Sequence, residues 1–542
     1  MRYIKDMTKY EGLNGWERIS LSDWVRNITN KYSDRIAIVD SQREVTYREL
    51  DREIDEIAYG LYKLGIAPKD KVIVQIPNRL SFVITLFAVI RIGAIPILAL
   101  PAYRETEIEG IIKVASPKAY IVAEKYMGFD YLPMAKRIKE ESSSLEFLIV
   151  DGERGGDYLI KDIIISGREV MDSGNGSEDF FTKSDGYDTG VLLLSGGTTG
   201  VPKLIPRTHT DYLYNGRMSA LKCRADSNSV YLAALPIAHN FPLCCPGIIG
   251  ILDVGGKVVL ASNTTPDEIL NLISEEKVTI TALVPAMLNL CLEMSEWDED
   301  IDISSLEILQ VGGAMLEESL AQKVIDSWSD CKLMQVFGTA EGLLCFTDLS
   351  DDDEVVVNCQ GKPISEADEV KIVDSDLKEV PRGEFGELLS RGPYTIPGYF
   401  NADEVNRISF TEDGFYRTGD RAMWTEEGNI RMGGRIKEQI NRAGEKITPS
   451  EVEALLCQNE RIKEAVVVGV PDEELGFRSC SFILSEDGEE FEREEIYHFL
   501  KNKGLAGYKI PDQVENIDVW PLTSVGKIDK KQLVKLAQNV FE

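Results

Sequence analysis

Short apolar runs alternate with amphipathic stretches along most of this chain. "DKVIVQI" at residues 70–76 precedes a helical pattern over 80–92. A charged helical pattern over 131–141 precedes "EFLIVDG". "KVVLAS", "VTITALV" and "LEILQVGGA" come later, with amphipathic segments between them. Strands alternating with helices predict an α/β fold with a largely parallel sheet. The most apolar stretch, "SFVITLFAVIRIGAIPILALPAY", is interrupted by Arg91, Gly93 and Pro96. It predicts a buried helix followed by a strand. No run reaches the roughly 18 apolar residues of a membrane span.

From about Gly386 the pattern shortens. "GELLSRGPYTIPGYF" and "GFYRTGDRAMWTEEGNIRMGGR" predict short strands joined by glycine-containing turns. A further unit starts near residues 436–437, dividing the chain into 1–436 and 437–542. It holds a helix with Ser450 as N-cap and Glu453 three residues on. The strand "EAVVVGVPD", a second strand, a helix over 493–502 and a basic tail follow. This reads as a small α+β domain.

The 542 residues allow more than one domain, and 43% hydrophobic content is that of an ordinary globular protein. The formal net charge of −32 argues against a nucleic acid held on a basic face. The first residues lack a signal-peptide core. The nine cysteines are odd in number and lack zinc-site spacing. Free thiols in a reducing cytoplasm are the expectation.

One stretch stands out chemically: "LLLSGGTTGVPKLIPRTHTDYLYN", residues 192–215. A glycine-rich turn after an apolar strand presents backbone N–H groups, hydroxyls and a lysine that can wrap phosphate oxygens. It is not a P-loop, because Val-Pro separates Lys203 from Gly200 and Leu follows Lys203. Alone, it would equally suit a flexible surface loop.

Other motifs accompany it in order: "VFGTAEG" at 336–342, "YRTGD" at 416–420, "GGRIKEQINRAGEKI" at 433–447 and "PLTSVGKIDK" at 521–530. With "SGGTTGVPK" they resemble the adenylate-forming superfamily of acyl-CoA synthetases, luciferases and peptide-synthetase adenylation domains. "TYREL" at 46–50 extends the likeness into the N-terminal half. "KLIPRTH", "PIAHNFPLCCPG", "LQVGGA", "RGPYTI" and "EQINRAGEK" resemble the stand-alone aryl acid–AMP ligases that activate 2,3-dihydroxybenzoate or salicylate for siderophores. The resemblance implies a large N-terminal domain of two α/β subdomains plus a small β-barrel, and a small mobile α+β C-terminal domain. It also implies ATP, Mg²⁺, an aromatic carboxylic acid and a phosphopantetheine thiol as reactants. With no carrier segment after the small domain, the acceptor is expected to be a separate aryl carrier protein. A monomer or dimer is expected.

On the same resemblance, Lys527 is the catalytic lysine that bridges carboxylate and α-phosphate, and Glu341 helps hold Mg²⁺. Ser195, Gly196, Gly197, Thr198, Thr199, Gly200 and Lys203 surround the pyrophosphate. Asp420 takes the ribose hydroxyls, with Arg435 nearby. Gly312, Gly313 and Ala314 lie along adenine, beside Val336, Phe337, Gly338 and Thr339. His239 gates the acid pocket, which Asn240, Phe241, Cys245, Leu344, Cys345 and Gly313 line. Lys437 is the hinge, and Gly444 lines the thiol tunnel after the small domain turns. His209 and His498 are expected to be structural.

Cys245 is a thiol where dihydroxybenzoate enzymes carry serine, and a weak hydrogen-bonder suits a bare C3 edge. Leu344 agrees, so salicylate is the acid expected first. Cys345 replaces the family's asparagine, which keeps benzoate and anthranilate open beside 2,3-dihydroxybenzoate. Phe477 replaces a frequent glutamate in the small domain. Rival readings are an aryl-CoA ligase using free CoA, a luciferase-type oxidase and a nucleotide binder without turnover.

Overall fold

The computed structural model describes residues 5–539 except 176–180, 182, 196–202, 299–300, 443–444, 473–474, 504, 506 and 524–526. Two large sheets, of nine and seven strands, form its frame. In the nine-stranded sheet, Val230–Ala233, Ile280–Leu283, Ile308–Gly312 and Lys332–Thr339 run parallel in that order. Leu343–Phe346 then adds antiparallel. In the seven-stranded sheet, Thr189–Ser195 pairs parallel with Ile95–Leu98 and antiparallel with Lys203–Thr208.

These strands read as continuous apolar runs because both faces are covered. All four residues of Ile280–Leu283 and all five of Ala119–Ala123 are buried. The apolar stretch at 81–103 folds as read, into helix Leu80–Arg91 and strand Ile95–Leu98. The helix is buried on every side except at Ser81. Fully covering one such aliphatic side chain contributes about 1.5–3 kcal/mol. Arg91, at the helix end, is buried against Asp51 (2.7 Å) and Asp55, which also engage Arg26. Without those carboxylates the guanidinium would be a costly lone charge.

Strands Glu369–Val373, Gly386–Arg391, Tyr416–Trp424 and Ile430–Arg435 make a four-stranded antiparallel sheet. Its core packs Ile372, Leu388, Ala422 and Ile430 on Leu343 and Cys345 of the nine-stranded sheet. This is the small β unit of the large part.

The C-terminal unit is a three-stranded sheet, Ile462–Asp472, Gly476–Ser485 and Gln513–Asn516, with helices Pro449–Leu456, Arg493–Asn502 and Lys530–Asn539. Two sequence readings change here. The helix expected to start at Ser450 is capped at Thr448, with Pro449 in its first turn. A proline suits that place because its missing N–H has no helical partner there. Ser450 instead donates to the Gly433 carbonyl (3.4 Å), and Glu453 accepts from Val467 N–H (2.8 Å). The basic tail is largely helix: Leu533 and Ala537 are fully buried.

The C-terminal unit meets the large part along an acidic seam. Glu317 faces Glu453 and Glu464, with Lys530 the opposing charge. Burial and these carboxylates push Glu317 up to about 7. Burial also raises Glu453 and Glu464. Lys530 pairs with Glu438 (2.9 Å), and Lys463 pairs with Glu293 across the seam. Cys457 lies within reach of Glu317, and burial pushes its thiol up to about 12. It is the one cysteine left partly accessible; the other eight are buried. Among the described residues no helix is long and apolar enough to cross a membrane.

Candidate active site

The glycine-rich stretch joins two antiparallel strands, with Ser195 paired to Lys203. Gly196, Gly197, Thr198, Thr199 and Gly200 lie outside the described residues. The chain therefore leaves this stretch as a strand, where a P-loop would enter a helix. The next helix, His209–Lys222, begins behind a Thr208–Asp211 capping box. His209 is buried there, its Nδ1 accepting from Leu21 N–H (3.4 Å), and burial lowers it to about 4. His498 is on the surface of its helix.

Lys203 sends its ammonium over the Tyr399 ring, 4.9 Å from the centroid. The Tyr399 hydroxyl donates to Glu341 Oε1 (2.7 Å). Glu341 is buried, in the turn between Lys332–Thr339 and Leu343–Phe346. That turn is held at successive backbone groups. Arg207 donates to Ala340 O (3.2 Å), Ile396 N–H to Glu341 O (2.8 Å) and the Thr395 hydroxyl to Gly342 O (2.7 Å). Leu344 N–H donates to the Tyr394 hydroxyl (3.3 Å). Gly342 takes φ of 120°, and a Cβ there would stand 2.1 Å from Tyr394 O. Only glycine fits this crossing.

Asp420 and Arg435 are cross-strand partners, joined by an Nε–Oδ1 contact of 2.9 Å. Burial raises the Asp420 carboxyl to about 6, against the pull of Arg435. Lys527 reaches the same place: its Cε is 3.7 Å from where a Cβ on Gly313 would stand. Burial and Arg435 lower its pKa, while Asp420 and Glu438 oppose the shift. Burial and the Lys527 charge push His239 down to about 4, so its ring is neutral. His239 Nδ1 accepts from Phe241 N–H (3.4 Å) as the cap of helix Asn240–Cys244.

On the other side, Phe241 Cε1 lies 3.2 Å from the Cβ position of Gly312, which also abuts Val336 O. Phe241, Cys245, Val336 and Leu344 belong to one buried cluster. Asn240 is buried with its amide nitrogen 3.5 Å from Cys245 Sγ. Burial pushes the Cys245 thiol up to about 12, so it stays neutral. Gly338 pairs with Leu344 across the strands. Gly313 and Ala314 are exposed along the cleft.

Cys345 departs from the expected pocket role. Alternate residues of a strand face opposite ways. Leu344 faces the cluster of Phe241, and Cys345 is enclosed with Ile372, Leu388 and Ala422 of the small β unit. Phe337 packs on that same side. Lys437 belongs to the short segment Ile436–Glu438, but its side chain, like Gly444, lies outside the described residues.

Three buried polar atoms here have no hydrogen-bond partner among the described residues: Thr339 Oγ1, Asp420 Oδ2 and Asn240 Oδ1. Each such atom costs about 1–3 kcal/mol unless something outside the chain meets it. A nucleotide sugar, phosphate oxygens with their cation and a polar acid would meet them. No cluster of three His, Cys, Asp or Glu side chains that could hold a metal occurs among the described residues. A cation at Glu341 would therefore complete its oxygen shell from phosphates, as Mg²⁺ does.

The sequence reading missed Tyr399, Tyr394, Thr395 and Arg207 as parts of the site. Arg207 and Tyr394 lie inside the quoted "KLIPRTH" and "RGPYTI", so the segments were visible and their contacts were not. Arg207 is fully buried against Asp211 (2.7 Å) and Asn215 (3.3 Å).

The AMP-binding enzyme family matches residues 25–400, and its C-terminal domain matches residues 451–527. A 2,3-dihydroxybenzoate-AMP ligase of Bacillus subtilis is 45% identical over 518 residues, covering 96% of this chain and 94% of that protein. A salicyl-AMP ligase / salicyl-S-ArCP synthetase of Mycobacterium tuberculosis is 40% identical over 531 residues, covering 97% and 92%. The apo structure of Mycobacterium smegmatis MbtA superposes with a TM-score of 0.74 at 38% identity, covering 99% of this chain and 98% of that one. The chain belongs to the AMP-binding enzyme family and is an ATP-dependent, AMP-forming ligase.

Proposed function

We propose that this enzyme activates a 2-hydroxybenzoate, salicylate first among them, and passes the acyl group to the phosphopantetheine thiol of a separate aryl carrier protein. The observation that carries the reading is a set of three buried atoms with no partner among the described residues, Thr339 Oγ1, Asp420 Oδ2 and Asn240 Oδ1, in a cleft that Lys527 enters. The names of the dihydroxybenzoate and salicyl relatives support the substrate class.

In the first step a carboxylate oxygen attacks the α-phosphorus, and the bond to the β-phosphate breaks with its electron pair leaving on pyrophosphate. The carboxylate is already ionised, so no general base is required. Lys527 bridges carboxylate and α-phosphate as charge builds, the kind of electrostatic positioning that contributes most when water is excluded. Asp420 accepts from ribose hydroxyls, and Lys203 with the loop from Ser195 faces the pyrophosphate. A Mg²⁺ ion held by Glu341 and phosphates would neutralise the leaving group.

Asn240 meets the acid's carboxylate and ortho-hydroxyl, since an amide both donates and accepts. Cys245 and Leu344 leave little for a C3 hydroxyl to bond. In the second step the thiol sulfur attacks the acyl carbon and AMP leaves. Residues 437–542 turn about Lys437 for this step, which withdraws Lys527 and brings Gly444 to the thiol path. Lys437 and Gly444 enter from the sequence alone.

Aryl-acid-dependent ATP–pyrophosphate exchange tests the reading, over salicylate, 2,3-dihydroxybenzoate, benzoate, anthranilate and a fatty acid. Salicylate preference supports it. Equal or better use of 2,3-dihydroxybenzoate removes the Cys245 argument. Activity on the fatty acid alone overturns the substrate class. Comparing carrier protein with free CoA as acceptor decides the second step.

A further inference from the structure

The turn carrying Glu341 and Leu344 is supported from behind by residues 393–396. That support is itself fastened by a side chain from the far end of the chain. Lys5 Nζ donates to the carbonyl oxygens of both Pro393 and Thr395, the latter at 2.7 Å. These carbonyls flank the residues whose Tyr394 hydroxyl, Thr395 hydroxyl and Ile396 N–H hold the turn. The Tyr394 hydroxyl donates onward to Asp368 Oδ2 (2.5 Å). It is thereby oriented to accept from Leu344 N–H.

The segment bearing Lys5 is anchored as well. Asp6 caps the short helix Met7–Tyr10, and buried Tyr10 packs on Trp16 with ring centroids 5.4 Å apart. Lys9 approaches Glu369 at 3.8 Å. Burial pushes the Lys5 ammonium down to about 7; Arg207 and Lys9 add to this, while Asp211 and Asp368 oppose it. Holding an ammonium there costs stability. The cost has a use if the two bonds fix a backbone that the site depends on.

We propose that Lys5 is a positioning residue of the adenylating site. It fastens Pro393–Thr395 in the geometry that aims Glu341 at the cation and phosphates and Leu344 at the acid. This rests on the roles proposed above for Glu341 and Leu344. It acts through the backbone and touches no reactant. A group misplaced by about 1 Å can cost about 100-fold in rate, so the expected effect is on turnover and on cation use together.

The test compares wild type, Lys5→Met, Lys5→Arg and Lys5→Met/Thr395→Val in pyrophosphate exchange. The readouts are kcat, the Mg²⁺ concentration at half-saturation and hydrogen exchange of the Leu344 and Ile396 amides. The methionine variant is expected to lose roughly tenfold or more in kcat and to need several-fold more Mg²⁺. It should also exchange both amides faster. Arginine should restore most of this, and the double variant should be scarcely worse than Lys5→Met. Wild-type Mg²⁺ dependence and amide protection in Lys5→Met overturn the proposal, as does a loss of melting temperature alone. If wild type shows no exchange with any acid, the activity reading fails by itself. The amides then still decide whether Lys5 holds the turn.

Discussion

The two walls of the cleft are built differently. The wall bearing Glu341, Gly312 and Val336 is built on the nine-stranded sheet, with Phe241 of helix Asn240–Cys244 packed against it. Its turn is fixed by four hydrogen bonds to backbone groups of Ala340, Glu341, Gly342 and Leu344. The facing wall is Lys527, delivered by a small unit whose seam sets Glu317, Glu453 and Glu464 against one another. Buried ladders give a fixed geometry, while crowded carboxylates give a contact that opens at little cost. On the proposed two-step cycle, one wall keeps register while the other departs.

The sharpest way to break this contrast is at Lys527. Lys527→Ala should lower adenylation about 10³-fold while ATP binding by calorimetry persists. Because the ammonium is held below its ordinary pKa by burial, its removal should not lower the melting temperature. Near-normal exchange in that variant would sink the role assigned to it.

Next in size is the rigid wall. Gly342→Ala combines a φ of 120° with a Cβ 2.1 Å from Tyr394 O. It should destabilise by about 2–4 kcal/mol, read by chemical denaturation. A cost below about 0.5 kcal/mol would mean that the turn is looser than its hydrogen bonds indicate.

The seam should respond to pH. In the docked arrangement burial, with Glu453, Glu464 and neighbouring Glu318, holds Glu317 at about 7, above its ordinary 4.5, so the docked form binds the extra proton. Its contribution to docking is complete below about 4.5 and is lost as pH rises to about 7. Energy transfer between dyes on the two units should therefore fall across that window, and Glu317→Gln should flatten the fall. An unchanged slope in Glu317→Gln would move the proton elsewhere.

The smallest effect belongs to Lys463–Glu293. Its side chains are 29% and 35% exposed. Glu293→Ala should weaken docking by less than about 1 kcal/mol, and less still at high salt.

Much of the frame was legible in the sequence because its signals are local. The buried helix and strand at 81–103 follow from apolar runs and their interruptions. The ordered motifs marked Glu341, Asp420 and Lys527, which the fold then gathers. What escaped depends on neighbours distant in sequence. Nothing in "PRTH" says that Arg207 reaches Ala340, and nothing near residue 5 points to Pro393. Cys345 was misjudged for a different reason. Adjacent strand residues face apart, and a motif read as a string does not say which face meets the ligand. At Ser450 the serine signal was outweighed by Pro449, whose ring suits the helix's first turn.

The covered thiols have a practical consequence. Eight cysteines are sealed in the folded protein, while Cys457 sits partly accessible at the edge of the acidic seam, its thiol held protonated. A maleimide should therefore find one slow target while the units stay together. That same target should quicken when they part, because water and a freer pKa return to it. On the rotation proposed for residues 437–542, counting modified thiols would time each half of the proposed cycle without an added label.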